Sequence, residues 1–124
     1  MKLSNNKILI TGGASGIGLG LTERFLSENN TIIICGRREE VLKEITGKYS
    51  SVITRVCDLS IPQEREELFK WVENEHNDLN VLINNAGIQN LMSVTDGNFY
   101  LRAKEEIAIN IEAPLHLASL FLNL

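Results

Sequence analysis

Between a short apolar run and a segment of helical period lies the stretch Thr11-Gly12-Gly13-Ala14-Ser15-Gly16-Ile17-Gly18. Its glycines follow the spacing G-x-x-x-G-x-G, and each meets a different need of a strand-to-helix turn. Gly12 permits the tight turn, Gly16 lets the backbone approach a phosphate without an intervening Cβ, and Gly18 lets the helix pack close to the strand. Amide groups at the helix N-terminus attract anions. The stretch therefore predicts a site for the pyrophosphate of a dinucleotide.

Around this stretch, β-branched apolar runs alternate with helical segments. The runs predict strands at 7–11, 31–35, 52–57 and 81–84, and the periodicity predicts helices between them and from about 100 to the end. Ser60 is the predicted N-cap of the third helix, with Gln63 completing a capping box. Such alternation predicts an α/β fold, a Rossmann-type doubly wound parallel sheet of order 3-2-1-4, in one domain over 1–124. The ligand crevice is expected at the carboxyl ends of strands 1 and 4.

The end of the second strand reads Cys35-Gly36-Arg37-Arg38. In dinucleotide-binding folds a carboxylate here binds the ribose hydroxyls of NAD, whereas an arginine accommodates the 2′-phosphate of NADP through charge-assisted hydrogen bonds. NADP(H) is therefore the predicted cofactor, with Arg37 as phosphate ligand. Arg38 is either a second ligand or a solvated cation paired with Glu39 or Glu40.

Three further segments are informative. Asp58-Leu59 follows strand 3, Asn84-Asn85-Ala86-Gly87 follows strand 4, and Asn110-Ile111-Glu112-Ala113-Pro114 lies in the last predicted helix. With the glycine stretch, they make nearly the whole chain resemble the short-chain dehydrogenase/reductase family. A narrower likeness is to the subgroup named for teichoic-acid D-alanylation operons, a name that defines no substrate. The resemblance implies hydride transfer between NADP(H) and a small carbonyl compound or secondary alcohol. It implies a cofactor site formed by Gly12, Ala14, Ser15, Gly16, Ile17, Gly18, Arg37, Arg38, Asp58, Leu59, Asn85, Ala86 and Gly87.

The resemblance also implies roles for individual residues. Asp58 would accept a hydrogen bond from the adenine amino group, and Leu59 would pack beside the ring. The segment from Asn85 to Gly87 would line the floor under the adenosine ribose, while Asn84 would tie neighbouring strands together.

Asn110 matches the asparagine of the family's catalytic Asn-Ser-Tyr-Lys set. Pro114 lacks an N–H, and its ring clashes with the carbonyl four residues earlier, which belongs to Asn110. The helix is therefore expected to kink there and to leave that carbonyl free for a water molecule. The resemblance implies that such a water extends a proton relay. The alternative is an ordinary surface asparagine on a kinked helix.

The family's serine and Tyr-x-x-x-Lys pair follow a fifth strand, which this sequence does not reach. Tyr100 and Lys104 have the spacing of that pair, but they precede Asn110 and no serine-bearing strand comes before them, so a surface pair is the favoured interpretation. Strand 4 would be an unprotected edge. We therefore expect an incomplete sheet, truncated on its C-terminal side, and a chain that does not turn over alone.

Composition narrows the possible partners. A net charge of −4 with interspersed signs offers no basic stripe for nucleic acid, and no segment approaches a membrane span or signal peptide, which predicts a cytoplasmic protein. Cys35 and Cys57 lack metal-ligand spacing and are predicted to be reduced, with no metal site. The apolar face of the last helix suits the homo-oligomer seam that the family resemblance implies, and the alternative is a part of the core left uncovered. Two rival functions remain: a noncatalytic nucleotide-binding fragment, and a methyltransferase using S-adenosylmethionine, which Arg37 argues against.

Overall fold

The structure, a computed structural model, describes residues 1–124. Its single sheet contains four parallel strands: β1 (Lys7–Thr11), β2 (Thr31–Gly36), β3 (Ile53–Val56) and β4 (Val81–Ile83). The strand order is β3-β2-β1-β4. This order confirms the predicted doubly wound α/β arrangement, in which the winding reverses between β1 and β4.

The helices are α1 (Gly16–Ser27), α2 (Glu39–Lys48), α3 (Pro62–Glu75), α4 (Phe99–Ile107) and α5 (Ala113–Phe121). Beyond α1, Asn29 adopts a left-handed conformation with φ of 62°, as asparagine often does after a helix C-terminus. No helix combines the length and the apolar character needed to cross a membrane.

Alternating side chains of β1 and β2 fill a core on each face of the sheet. Ile8 and Ile34 belong to a cluster that includes Leu42 and Ile45 of α2, with side chains of α1 packed against it. Leu9, on the opposite face, belongs to a cluster with α3 and α5. Because both central strands are buried on both faces, the sequence shows continuous apolar runs there instead of alternation.

The start of α3 differs from the predicted capping box. The helix begins at Pro62 after Ile61, and Ser60 makes no capping bond to it. Instead, the backbone N–H and hydroxyl of Ser60 both donate to Asp58 Oδ1, at 2.9 and 2.6 Å. Glu64 Oε1 accepts from the Asp58 N–H at 2.9 Å. The prediction was wrong because the Asp58 carboxylate forms a local turn with Ser60, a geometry that aspartate favours, and the helix begins beyond it.

The predicted last helix is divided by a π-helical turn over Ala108–Glu112. The Ala113 N–H donates to the Ala108 carbonyl, five residues earlier in the chain. Pro114 has no N–H to offer the carbonyl of Asn110, and a widened turn accommodates this loss. Ile107, Ile111 and Leu115 are exposed along these helices.

Candidate functional site

A cleft of about 400 Å³ opens where the carboxyl ends of the strands meet. The predicted cofactor residues line it, except Ala14 and Asp58. Three residues that were not predicted to belong to the cofactor site also line it: Cys57 after β3, Ile88 after β4 and Ile109 in the π turn. The crevice therefore lies at the predicted edge of the sheet.

Ala14 and Asp58 lie outside the cleft lining. Ala14 packs against the core on the α1 and α2 face. Asp58 is half-buried, and its Oδ1 atom already accepts the two hydrogen bonds from Ser60. In this structure Asp58 shapes the loop that carries Leu59 into the cleft.

Backbone geometry explains the glycines of the turn before α1. Gly12 and Gly16 have φ values of 65° and 53°, in the left-handed region that favours glycine. A Cβ on Gly18 would overlap the carbonyl oxygen of Gly12, whereas a Cβ on Gly16 would meet nothing within 4 Å. Gly13 is also constrained, because its Cβ would lie 2.5 Å from Ile34 Cγ2. The turn is thus tightly packed at Gly13 and Gly18, whereas at Gly16 it is open toward the cleft.

Thr11, the last residue of β1, fixes the loop after β4. Its buried hydroxyl oxygen accepts from the backbone N–H groups of Asn85 and Ala86, both at 3.0 Å. The side-chain amide of Asn85 donates back to the Thr11 carbonyl at 3.0 Å. These bonds hold two neighbouring strand ends together on the cleft side.

The role implied for Asn84 therefore belongs to Asn85. The Asn84 amide points to α5, where its Nδ2 atom lies 3.5 Å from the Pro114 carbonyl oxygen. Successive side chains leave a strand in opposite directions, so only one of two adjacent asparagines faces β1.

Asn110 lies in the π turn and contacts the loop after β4. Its Nδ2 atom donates to the Ile88 carbonyl at 2.7 Å, and its Oδ1 atom accepts from the Ile88 N–H at 2.8 Å. Asn110 is exposed and is not part of the cleft lining. Its side chain positions a cleft residue.

Arg37 and Arg38 both line the cleft after β2. Neither forms an ion pair with Glu39 or Glu40. Glu39 pairs with Lys43 at 3.5 Å, and Glu40 forms no ion pair. Arg37 Nη1 instead lies 2.7 Å from Glu105 Oε1 on α4, and Arg38 forms no ion pair. The distant partner of Arg37 was not predicted.

A buried cation, Arg65, joins the cleft loop to α5. Its side chain is 3% exposed, and its Nε atom donates to the Leu59 carbonyl at 2.6 Å. Its Nη1 atom lies 3.2 Å from His116 Nδ1, and since a guanidinium only donates, the imidazole nitrogen accepts. His116 thus joins α5 to Arg65 of α3. Arg65 lacked any sequence signal that separates it from the surface charges of α3.

The two free cysteines are both buried, and only Cys57 lines the cleft. A hydrogen bond with Cys57, together with burial, raises the pKa of the Cys35 thiol well above its usual range. The thiol of Cys35 is therefore held in its neutral form within the core.

Comparison with known proteins agrees with this geometry. The family model described as short chain dehydrogenase matches residues 6–124. The chain belongs to the short-chain dehydrogenase family. Membership implies a nicotinamide cofactor. Tyr100 and Lys104, both exposed on α4, do not line the cleft of this short-chain dehydrogenase chain.

Relatives show how much of such a protein the chain spans. An uncharacterized oxidoreductase, DltE, of Bacillus subtilis is 44% identical over 98% of this chain and 48% of its own length. The 3-oxoacyl-[acyl-carrier-protein] reductase FabG of Chlamydia pneumoniae is 32% identical over 84% of this chain and 41% of its own. A short-chain dehydrogenase structure from Streptomyces avermitilis superimposes with a TM-score of 0.84 at 23% identity, covering 99% of this chain and 45% of its own. The chain spans about half the length of the curated relatives it matches.

Proposed function

We propose that residues 1–124 form one domain, the cofactor-binding half of an NADP(H)-dependent oxidoreductase that transfers hydride between the nicotinamide and a carbonyl compound or secondary alcohol. The observation that carries the proposal is the pair of cationic side chains, Arg37 and Arg38, on the cleft rim where an NAD-binding fold has a carboxylate. The relative FabG is named a reductase, which supports a reaction that transfers hydride to a carbonyl group.

The glycine turn fits the phosphates of a dinucleotide. The helix N-terminus of α1 has no acidic residue in its first turn, so its free N–H groups face the cleft without a competing negative charge. Gly16 borders the cleft with open space on its Cβ side. We propose that the pyrophosphate binds the backbone from Ser15 to Gly18.

Apolar residues on both sides of the cleft suit the adenine ring. Leu59 enters from the loop after β3 and Ile109 from the π turn, and both are almost fully buried. We propose that adenine lies between them and that the 2′-phosphate binds Arg37, with Arg38 contributing charge. A planar guanidinium is suited to bidentate binding of phosphate.

When bound, a nicotinamide cofactor would supply the hydride chemistry of the reaction. The residues of this chain bind and orient the cofactor, and Asn110 positions the backbone of Ile88 at the cleft wall. We propose that the groups that protonate the substrate oxygen come from a region outside residues 1–124, so this chain alone does not turn over.

The intact mass of the protein made by the source cells is the first test, followed by an assay of carbonyl-dependent NADPH oxidation. We expect a mass well above 13.9 kDa and oxidation that requires an added carbonyl compound. A natural mass of 13.9 kDa with NADPH binding and no turnover would favour a noncatalytic nucleotide-binding protein. Tighter binding of S-adenosylmethionine than of NADPH would favour a methyltransferase.

A further inference from the structure

An ion pair connects two elements across the proposed 2′-phosphate site. Arg37 follows β2, and Glu105 lies on α4, one helical turn before the cleft residue Ile109. The bond from Arg37 Nη1 to Glu105 Oε1 is 2.7 Å long. The carboxylate therefore occupies a donor of the guanidinium that we assign to the phosphate.

The ion pair is open to solvent and easily exchanged. The side chain of Arg37 is 46% exposed and that of Glu105 is 40% exposed. Pairs of this kind contribute little to stability because water screens the charges and two long side chains must be ordered. A stronger anion can therefore replace the carboxylate at modest cost.

We propose that Glu105 is a specificity-determining residue that competes with the 2′-phosphate for Arg37 and so weakens NADP(H) binding selectively. This inference rests on the proposed function. When the phosphate binds Arg37, the carboxylate of Glu105 is displaced but remains close to a dianion that repels it. Arg38, which forms no ion pair, keeps the rim cationic during the exchange. NAD(H) carries no 2′-phosphate, so its affinity does not depend on this competition.

The test is a titration of NADPH and NADH, followed by nucleotide fluorescence at low ionic strength, on the protein as its source cells make it. The variants are Glu105→Gln, Arg37→Gln and the double variant. Glu106→Gln is the matched control, because it removes the neighbouring negative charge, which makes no ion pair with Arg37. Glu105→Gln is expected to tighten NADPH binding about three- to fivefold, and to change NADH binding less than about twofold. In the Arg37→Gln background the effect of Glu105→Gln is expected to shrink to less than about twofold, because only the direct repulsion between Glu105 and the phosphate remains.

Unchanged NADPH affinity in Glu105→Gln, or the same gain in Glu106→Gln, would overturn the role of Glu105 while leaving the proposed cofactor intact. Weaker NADPH binding would also overturn it, because Glu105 would then hold Arg37 in place for the phosphate. Equal affinities of the unaltered protein for NADPH and NADH would contradict the proposed function itself.

Discussion

Asn110 and Ile88 exchange two hydrogen bonds beside the cleft, one in each direction between a side-chain amide and a backbone peptide. The contact joins the π turn to the loop after β4. A position that motif comparison assigns to catalysis thus has a local structural function in this chain, because it fixes the backbone of a residue that lines the cofactor cleft.

Asn110→Ala is expected to loosen the loop after β4 more than it unfolds the protein. Both lost bonds are exposed to solvent, so we expect a decrease of about 1 kcal/mol in the free energy of unfolding. Hydrogen exchange at the Ile88 amide should become faster, as measured by NMR or mass spectrometry. Asn90→Ala is the control, since its amide makes only a 3.5 Å contact with the Arg102 carbonyl. Equal protection of the Ile88 amide in both variants would show that Asn110 does not hold the Ile88 backbone in place.

Gly18 and Gly20 provide a matched pair within α1. Alanine at Gly18 would overlap the Gly12 carbonyl, and we expect a loss of about 3 kcal/mol in stability together with loss of nucleotide binding. Alanine at the exposed Gly20, where a Cβ meets nothing within 4 Å, should raise stability by about 0.5–1 kcal/mol, because alanine favours the helix. Urea unfolding of both variants measures the difference, and similar stabilities would refute the close packing at Gly18.

Arg65 is expected to be important for stability despite its charge. Arg65→Ala removes the bond to the Leu59 carbonyl and the contact with His116, and leaves a cavity between α3 and α5. We expect a loss of about 3 kcal/mol in the free energy of unfolding. Arg24→Ala, on the exposed surface of α1, should cost less than about 0.5 kcal/mol. Denaturant unfolding distinguishes them, and equal costs would show that Arg65 makes no special contribution.

Stability should fall at alkaline pH in part because of Cys35. The pKa of this thiol is raised in the folded state by its hydrogen bond with Cys57 and by burial, while the unfolded thiol ionises near its ordinary value of about 8.5. Above that pH the unfolded state loses protons that the folded state keeps, so the free energy of unfolding falls as pH rises. The contribution reaches about 1.4 kcal/mol per pH unit until the folded pKa is reached. Cys35→Ala should show a shallower decline between pH 8 and 10, and parallel slopes would contradict the account.

The sheet order and most of the cleft could be predicted from the sequence. Alternating strands and helices with right-handed crossovers leave few topologies, and the positions of Gly12 and Gly18 in the turn follow from their spacing. These features depend on local sequence and on general rules of chain packing.

The remaining features depend on which way particular side chains point. Nothing local distinguishes Asn84 from Asn85, because the direction of each is set by the end of β4. Ser60 has a side chain that can cap a helix, but its hydroxyl donates to the Asp58 carboxylate instead. The pairing of Arg37 with Glu105 joins residues 68 positions apart, which no local pattern reports.

The most direct test of the central claim is the ratio of the dissociation constants for NADH and NADPH, measured before and after Arg37→Gln. With Arg37 and Arg38 at the positions directly after β2, where NAD-binding folds have a carboxylate, we predict that the unaltered protein binds NADPH at least about tenfold more tightly than NADH. Arg37→Gln should bring the ratio close to one by weakening NADPH binding alone. Equal or tighter binding of NADH by the unaltered protein would contradict the account.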